Sequence, residues 1–170
     1  KVVYAGSSSH HNGIYENPYT FSKDIGEQLC EMYYRVYGVE TRICRFYNVY
    51  GDSQLTEGEY AAVVGIFLEQ YKHNKPLTIT GDGEQRRDFT HVDDIVDGMF
   101  LSMSKEFGTY ELGSGVNYSI NELANMFGDD YPKEYIEERV GEARETLCKK
   151  PDLLLVKNNL EDYIKGEISE

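Results

Sequence analysis

At 170 residues the chain can bury a core as one domain or one large subdomain. A net charge of -13 and a pI near 4.7 argue against nucleic acid or an anionic membrane as the main partner. No apolar run approaches the roughly 20 residues of a membrane span, and the three cysteines, Cys30, Cys44 and Cys148, lack metal-ligand spacing and follow no secretory signal. They read as free thiols of a soluble, cytoplasmic protein.

In chain order, Lys1 to Ala5 is a short β-branched and aromatic run that predicts a buried strand opening at Gly6 into Ser7-Ser8-Ser9. Ligands in open α/β sheets lie beyond the carboxyl ends of strands, so the serines stand where chemistry can happen. Residues 10–17 are polar and turn-like. Adjacent His10 and His11 could ligate metal, but without further ligands they read as a solvated loop, and no metal is expected. A helix is predicted from Pro18 to about Tyr37, with Pro18 in its first turn, Gly38 as its stop, and Ile25, Leu29, Met32, Tyr33 and Val36 as its apolar face.

Tyr19 and Lys23, four apart, share one face of that helix. A free phenol titrates near 10, and bringing it to about 7 takes roughly 4 kcal/mol of preference for the phenolate. An ammonium about 4 Å away supplies a similar amount at an effective dielectric near 20. A serine hydroxyl nearby could hold the reacting oxygen. Spacing alone is weak in a chain with 15 tyrosines, and Tyr71 and Lys75 repeat it with none of the surrounding motifs.

Glu40 to Phe46 reads as a strand leading to Asn48, and Ala61 to Tyr71 is apolar at helical spacing. Arg45 is read either as a core ion pair or as a site residue. Leu77 to Thr80 is a short strand ended by Gly81-Asp82-Gly83, read as a hairpin turn rather than a phosphate cradle because no helix follows directly. A helix over Asp93 to Ser104 is expected to turn Ile95, Val96, Met99 and Phe100 inward, with Asp93 or Asp94 at its amino end. Tyr110 to Leu112 is a strand, Ser119 to Glu122 a capping box opening a helix to Phe127, and Leu153 to Ile164 a closing helix.

Val2-Val3-Tyr4-Ala5 with the serines, Pro18-Tyr19 to Lys23, Arg45 to Gly51, Gly81-Asp82-Gly83 with Arg87-Asp88-Phe89, Gly113-Ser114-Gly115 and Arg139-Val140-Gly141-Glu142 occur in one order. In that order they resemble the nucleotide-sugar epimerases of the extended short-chain dehydrogenase/reductase family, over nearly the whole chain to about Thr146. The resemblance implies an α/β fold: the carboxyl-terminal part of a Rossmann-type doubly wound parallel sheet plus a small α/β substrate domain. Residues 1–58 would be the remaining NAD-binding part and 59–170 mainly the substrate domain, interleaved with it. It also implies that the family's Gly-rich phosphate loop and first strands have no counterpart here, which would explain a parallel strand at the first residue.

The implied reaction is NAD-dependent epimerisation of a nucleotide-diphosphate hexose at C4. By the same resemblance Ser7, Tyr19 and Lys23 are catalytic, and Tyr19, Lys23 and Tyr47 lie against the cofactor. Asn48, Arg87 and Arg139 would hold the diphosphate, Thr78 and Thr80 the base, and Glu142 the nucleotide ribose. Ser7 is taken by counting four residues back from the place of a loop tyrosine, which is His11 here. Two alternatives stand beside this: a silent nucleotide-sugar-binding fragment without its own NAD site, and a 4,6-dehydratase. Dehydration is disfavoured because Ser8 and Ser9 occupy the places of the dehydratases' Asp-Glu pair. An incomplete sheet leaves an apolar edge, so a homodimer, or association with a separate amino-terminal half, is expected.

Overall fold

The computed structural model describes residues 1–58, 61–138 and 143–169. Strand β1 (Val2–Ser7) pairs in parallel with β2 (Thr41–Phe46), and β2 pairs in parallel with β6 (Thr109–Leu112). Helix α1 (Pro18–Tyr37) links the first two strands. It starts where Asn17 Oδ1 accepts from the Thr20 amide and stops at Gly38 in the left-handed region, φ 66°. Both signals are local, which is why its bounds were legible.

Side chains alternate across β2. Thr41 donates to the Cys30 carbonyl of α1 and Arg45 pairs with Glu27 of α1, whereas Cys44 and Phe46 pack with Ile95 and Met99 of α3 (Val92–Ser102). The sheet is therefore covered on both faces, as a doubly wound α/β fold requires. Gly26 lets α1 come down on β1, since a Cβ there would meet the Tyr4 hydroxyl at 2.0 Å.

A second core lies among β3 (Asn48–Tyr50), α2 (Val63–Lys72), β4 (Leu77–Thr80), β5 (Arg86–His91), β7 (Asn117–Ser119), α4 (Ile120–Asn125), β8 (Lys133–Ile136) and α5 (Leu160–Glu167). Phe67, Leu77, Ile79, Leu123 and Ile164 are wholly buried there, and each such side chain contributes about 2 kcal/mol of transfer free energy. β3 pairs in parallel with β5, β5 antiparallel with β7, and β4 in parallel with β8. Residues from both 1–58 and 59–170 enter each core. No helix among the described residues is long and apolar enough to cross a membrane.

Several expectations are corrected. Gly81-Asp82-Gly83 is a turn, with φ 59° and 73° at its glycines, but not of a hairpin: β4 pairs with β8, and β5 belongs to another sheet. β8 was not anticipated, because its partner is 56 residues away and its own sequence, Lys-Glu-Tyr-Ile, is half charged. The apolar face of α1 is turned to solvent, with Leu29 49% and Val36 63% exposed, while Thr20, Asp24, Glu27 and Cys30 are the residues turned inward. On α3, Ile95 is buried and Met99 packs beside it, but Phe100 is 69% and Val96 41% exposed. The closing helix is shorter and later than expected, starting at Leu160 after Asn159 caps it. Residues 10–12 belong to a 3₁₀ turn, Ser8–Asn12, rather than an irregular loop, with His11 and Asn12 exposed.

Candidate active site

The carboxyl ends of β1 and β2 open into a cleft of about 920 Å³ lined by Ser7, Ser8, Tyr19, Lys23, Tyr47 and Asn48, with Arg87 and Thr146 on its other wall. Strand direction explains the placement: parallel β1 and β2 end side by side, Ser7 opposite Phe46, and α1 begins a few residues beyond. Tyr19 and Lys23 are one turn apart there, the Lys23 ammonium 5.8 Å from the Tyr19 ring centroid and donating to the Ala5 carbonyl at 3.0 Å. The Tyr19 residue is 57% exposed at the cleft.

The three serines have different lives. Ser7 caps the 3₁₀ turn, its Oγ accepting from the Ser9 amide at 3.2 Å and the Ser9 hydroxyl at 2.9 Å. Ser8 is only 9% exposed, lines the cleft, and its hydroxyl makes no hydrogen bond among the described residues. Counting along the chain had no means of separating the two. The turn itself is tied to β6 by the hydrogen bond between His11 Nε2 and Glu111 Oε1 at 3.0 Å, whereas His10 Nδ1 lies 3.1 Å from Asp24 Oδ1 without hydrogen-bonding geometry. His10, Asp24 and Glu27 bring ligand atoms within 4.8 Å of one another. Glu27, however, already holds the Arg45 guanidinium at 2.6 Å, a cation in the place a metal would need.

Arg45 is thus a core ion pair, bound to Glu27 and, at 3.3 Å, to Glu111. Tyr47 is nearly buried and donates to Glu111 Oε2 at 3.0 Å. Burial first, and the adjacent Glu111 charge second, push its phenol well above the ordinary tyrosine value, so it stays a proton-bearing donor. Asn48 Oδ1 accepts from the Thr146 hydroxyl at 2.9 Å.

The other predicted contacts gather at a smaller adjoining cavity of about 160 Å³, lined by Asn48, Thr78, Thr80, Arg87, Phe89 and Ile136 among others. Asn48 and Arg87 face both spaces. Thr78 is stapled to α2, its hydroxyl accepting from Gln70 Nε2 at 2.8 Å and its amide donating to Gln70 Oε1 at 3.0 Å. Gln85 Nε2 donates to both the carbonyl and the hydroxyl of Thr80 at 2.9 Å. Arg87 is buried and donates from Nη1 to the Arg86 carbonyl. Arg139 and Glu142 lie outside the described residues.

Asp88 is the residue that sequence reasoning missed. It is wholly buried, and its carboxylate accepts from the Ser114 amide and hydroxyl (2.8 and 2.6 Å) and from the amides of Gly115 (3.0 Å) and Cys148 (2.9 Å). It thereby ties β5 to the loop after β6 and to the 146–148 segment on the cleft wall. Gly113 is required beside it, since a Cβ would meet Cys148 at 2.4 Å and the Tyr47 ring at 2.7 Å.

The profile of the NAD dependent epimerase/dehydratase family matches residues 6–113. UDP-glucuronic acid decarboxylase 1 of Arabidopsis thaliana is 34% identical over 145 residues, covering 84% of this chain and 33% of that protein. UDP-glucuronate 4-epimerase of Thermodesulfobacterium geofontis is 34% identical over 147 residues, covering 79% of this chain and 44% of its own. Among solved structures, UDP-glucose 4-epimerase of Thermotoga maritima with UDP-glucose superposes with a TM-score of 0.86 at 26% identity, over 98% of this chain and 61% of that one. The chain therefore spans a third to under a half of the length of these curated relatives.

Proposed function

The chain belongs to the NAD-dependent epimerase/dehydratase family, and from that premise we propose that it carries the proton-transfer and substrate-binding residues of an epimerase that inverts C4 of a hexose held on uridine diphosphate. The observation that carries this reading is the cleft itself: Tyr19 and Lys23 from one helix face the same space as the serine turn, Asn48 and Arg87.

In this reading the diphosphate lies at Asn48 and Arg87, the arginine fork suiting paired phosphate oxygens, and the base reaches toward Thr78 and Thr80. Arg139 and Glu142 would add a second phosphate contact and a ribose contact. Tyr19 Oη takes the proton from the C4 hydroxyl and returns it when the ketone is reduced on its other face. Lys23 stabilises the phenolate that Tyr19 is before it takes that proton and becomes again once it has returned it. Ser7, with Ser8 beside it, holds the reacting oxygen. Ser8 suits that contact because its hydroxyl is uncommitted, whereas the Ser7 oxygen already accepts two bonds within the turn.

The residues present fit the nicotinamide end of NAD: a phenol and an ammonium for ribose hydroxyls on α1, and the Tyr47 ring in the cleft wall. NAD, when bound, would accept the hydride from C4 and give it back. The outward apolar face of α1 supports association through that helix, with a second copy or with the remainder of a longer protein.

Native mass spectrometry with NADH titration, followed by turnover of UDP-hexoses, tests this reading. Binding in the micromolar range and C4 inversion are expected, with Tyr19→Phe lowering turnover by about 10² to 10⁴-fold. UDP-sugar binding with no NADH binding at millimolar concentration would instead favour the silent binding fragment.

A further inference from the structure

Two consecutive residues of α1 stand on either side of the serine turn. Lys23 donates to the carbonyl of Ala5, which precedes the turn, and Asp24 Oδ1 lies 3.1 Å from Nδ1 of His10, which follows Ser8 and Ser9. The end of β1 comes down on the Glu27–Arg45 pair beside them, and Gly6 permits this, since a Cβ there would meet Glu27 Oε1 at 2.7 Å. Ser8 lines the cleft and His10 does not. The serine therefore sits on a short stretch between two approaches to the helix that carries Tyr19.

The two histidines of the turn point apart, with ring planes at 88° and centroids 5.8 Å from each other. His11 reaches β6, and its side chain is 48% exposed there. His10 reaches α1 and a drier place. Its Nδ1 is shut off from solvent and has no hydrogen-bond partner among the described residues, while the Asp24 and Glu27 side chains opposite are each 8% exposed. Both Glu27 oxygens already accept from Arg45, at 2.6 to 3.2 Å, and Asp24 Oδ2 accepts from Gln28 Nε2 at 2.6 Å. Asp24 Oδ1 is the oxygen left to His10. A change of ring angle, not of distance, separates the two from a charge-assisted hydrogen bond. Buried nitrogens are ordinarily paired, so an unpaired one this close to a carboxylate marks a contact that is completed in another state of the turn.

We propose that His10 is a positioning residue for the proton-transfer site: its Nδ1–H closes onto Asp24 Oδ1 when the sugar enters the cleft, and the closed contact fixes the Ser8 hydroxyl against Tyr19. His10 touches neither sugar nor cofactor and acts through the turn. A neutral imidazole with its proton on Nδ1 is sufficient for this bond. The proposal rests on the epimerase reading for what Ser8 does with the reacting oxygen, but the coupling of turn to helix is measurable without turnover.

Hydrogen exchange at the Ser9 amide, which donates to Ser7 Oγ, reports the turn directly. UDP-glucose is expected to slow it at least about tenfold in the unaltered protein, and to lose that effect in His10→Ala and in Asp24→Ala. The double variant should be no worse than either single one, because the two groups act as a pair. His10→Asn, which keeps an N–H donor on Cγ, should restore the slowing, and His11→Ala should leave it in place. In turnover, His10→Ala is expected to lower kcat about 10 to 10²-fold with KM little changed, since the diphosphate contacts lie off the turn. Slowing that survives His10→Ala, effects of the two alanine variants that simply add, or no recovery in His10→Asn overturns the positioning role. A protein that shows the His10-dependent slowing but turns nothing over overturns the epimerase reading and leaves the coupling of turn and helix standing. Failure of UDP-glucose to bind overturns both.

Discussion

Asp88 is a negative charge placed out of reach of water and kept there by donors from two distant segments. Its bonds to Ser114, Gly115 and Cys148 bridge 26 to 60 residues of sequence, which is why the Arg-Asp-Phe run showed only a cation with a neighbouring acid. Asp88→Asn keeps the shape but sets amide hydrogens against backbone N–H groups, and Asp88→Ala leaves those donors buried and unpaired. Each unpaired donor costs roughly 1 to 3 kcal/mol, so the alanine variant is expected to lose about 3 kcal/mol or more in urea unfolding. A loss under about 1 kcal/mol would show that water replaces the carboxylate and that Asp88 is no hub. The pair of Asp82 and Arg144 is a useful contrast: at 2.8 Å it is geometrically good, but both side chains are more than half exposed, where such pairs contribute little.

At the scale of elements, α1 shows how much of a helix is legible and how much is not. Its limits follow from Asn17, Pro18 and Gly38, all within one turn of the ends. Its orientation does not, because periodicity reveals an apolar stripe without saying what covers it. Here the inward face is Thr20, Asp24, Glu27 and Cys30, since β2 offers Thr41 and Arg45 as polar partners, and the stripe through Ile25, Leu29, Met32 and Val36 is left outward. Tyr19 and Lys23 were found because their spacing and their motif are local. The contacts of Ser7 against Ser8 were not, because the two differ only in which way the turn rotates them. An exposed stripe of this length is expected to be covered in solution. Sedimentation velocity should show a concentration-dependent species larger than 19.5 kDa, and Leu29→Lys should shift it to monomer with little change in unfolding midpoint. A monomer at all concentrations would remove the case for α1 as an interface.

Across the whole molecule, two cores meet at the cleft, and the three cysteines sample different parts of that arrangement. Cys44 is wholly buried between the parallel sheet and α3, Cys148 is buried beside Tyr47 and Asp88, and Cys30 lies on the inner face of α1. Burial pushes all three thiols above their ordinary value, which lowers the thiolate fraction that reacts. Labelling with a disulfide reagent at neutral pH therefore requires opening of the structure, and the opening needed differs by site. Cys44 is expected to react only at the rate of global unfolding, with the full urea dependence, because its core holds both layers of the sheet together. Cys30 needs only α1 to lift from β1 and β2, so it should react sooner and with a shallower urea dependence. If α1 is covered by a second copy, Leu29→Lys will speed Cys30 and leave Cys44 unchanged. Equal rates at Cys30 and Cys44 with one shared urea dependence would mean that α1 opens only with the rest of the sheet.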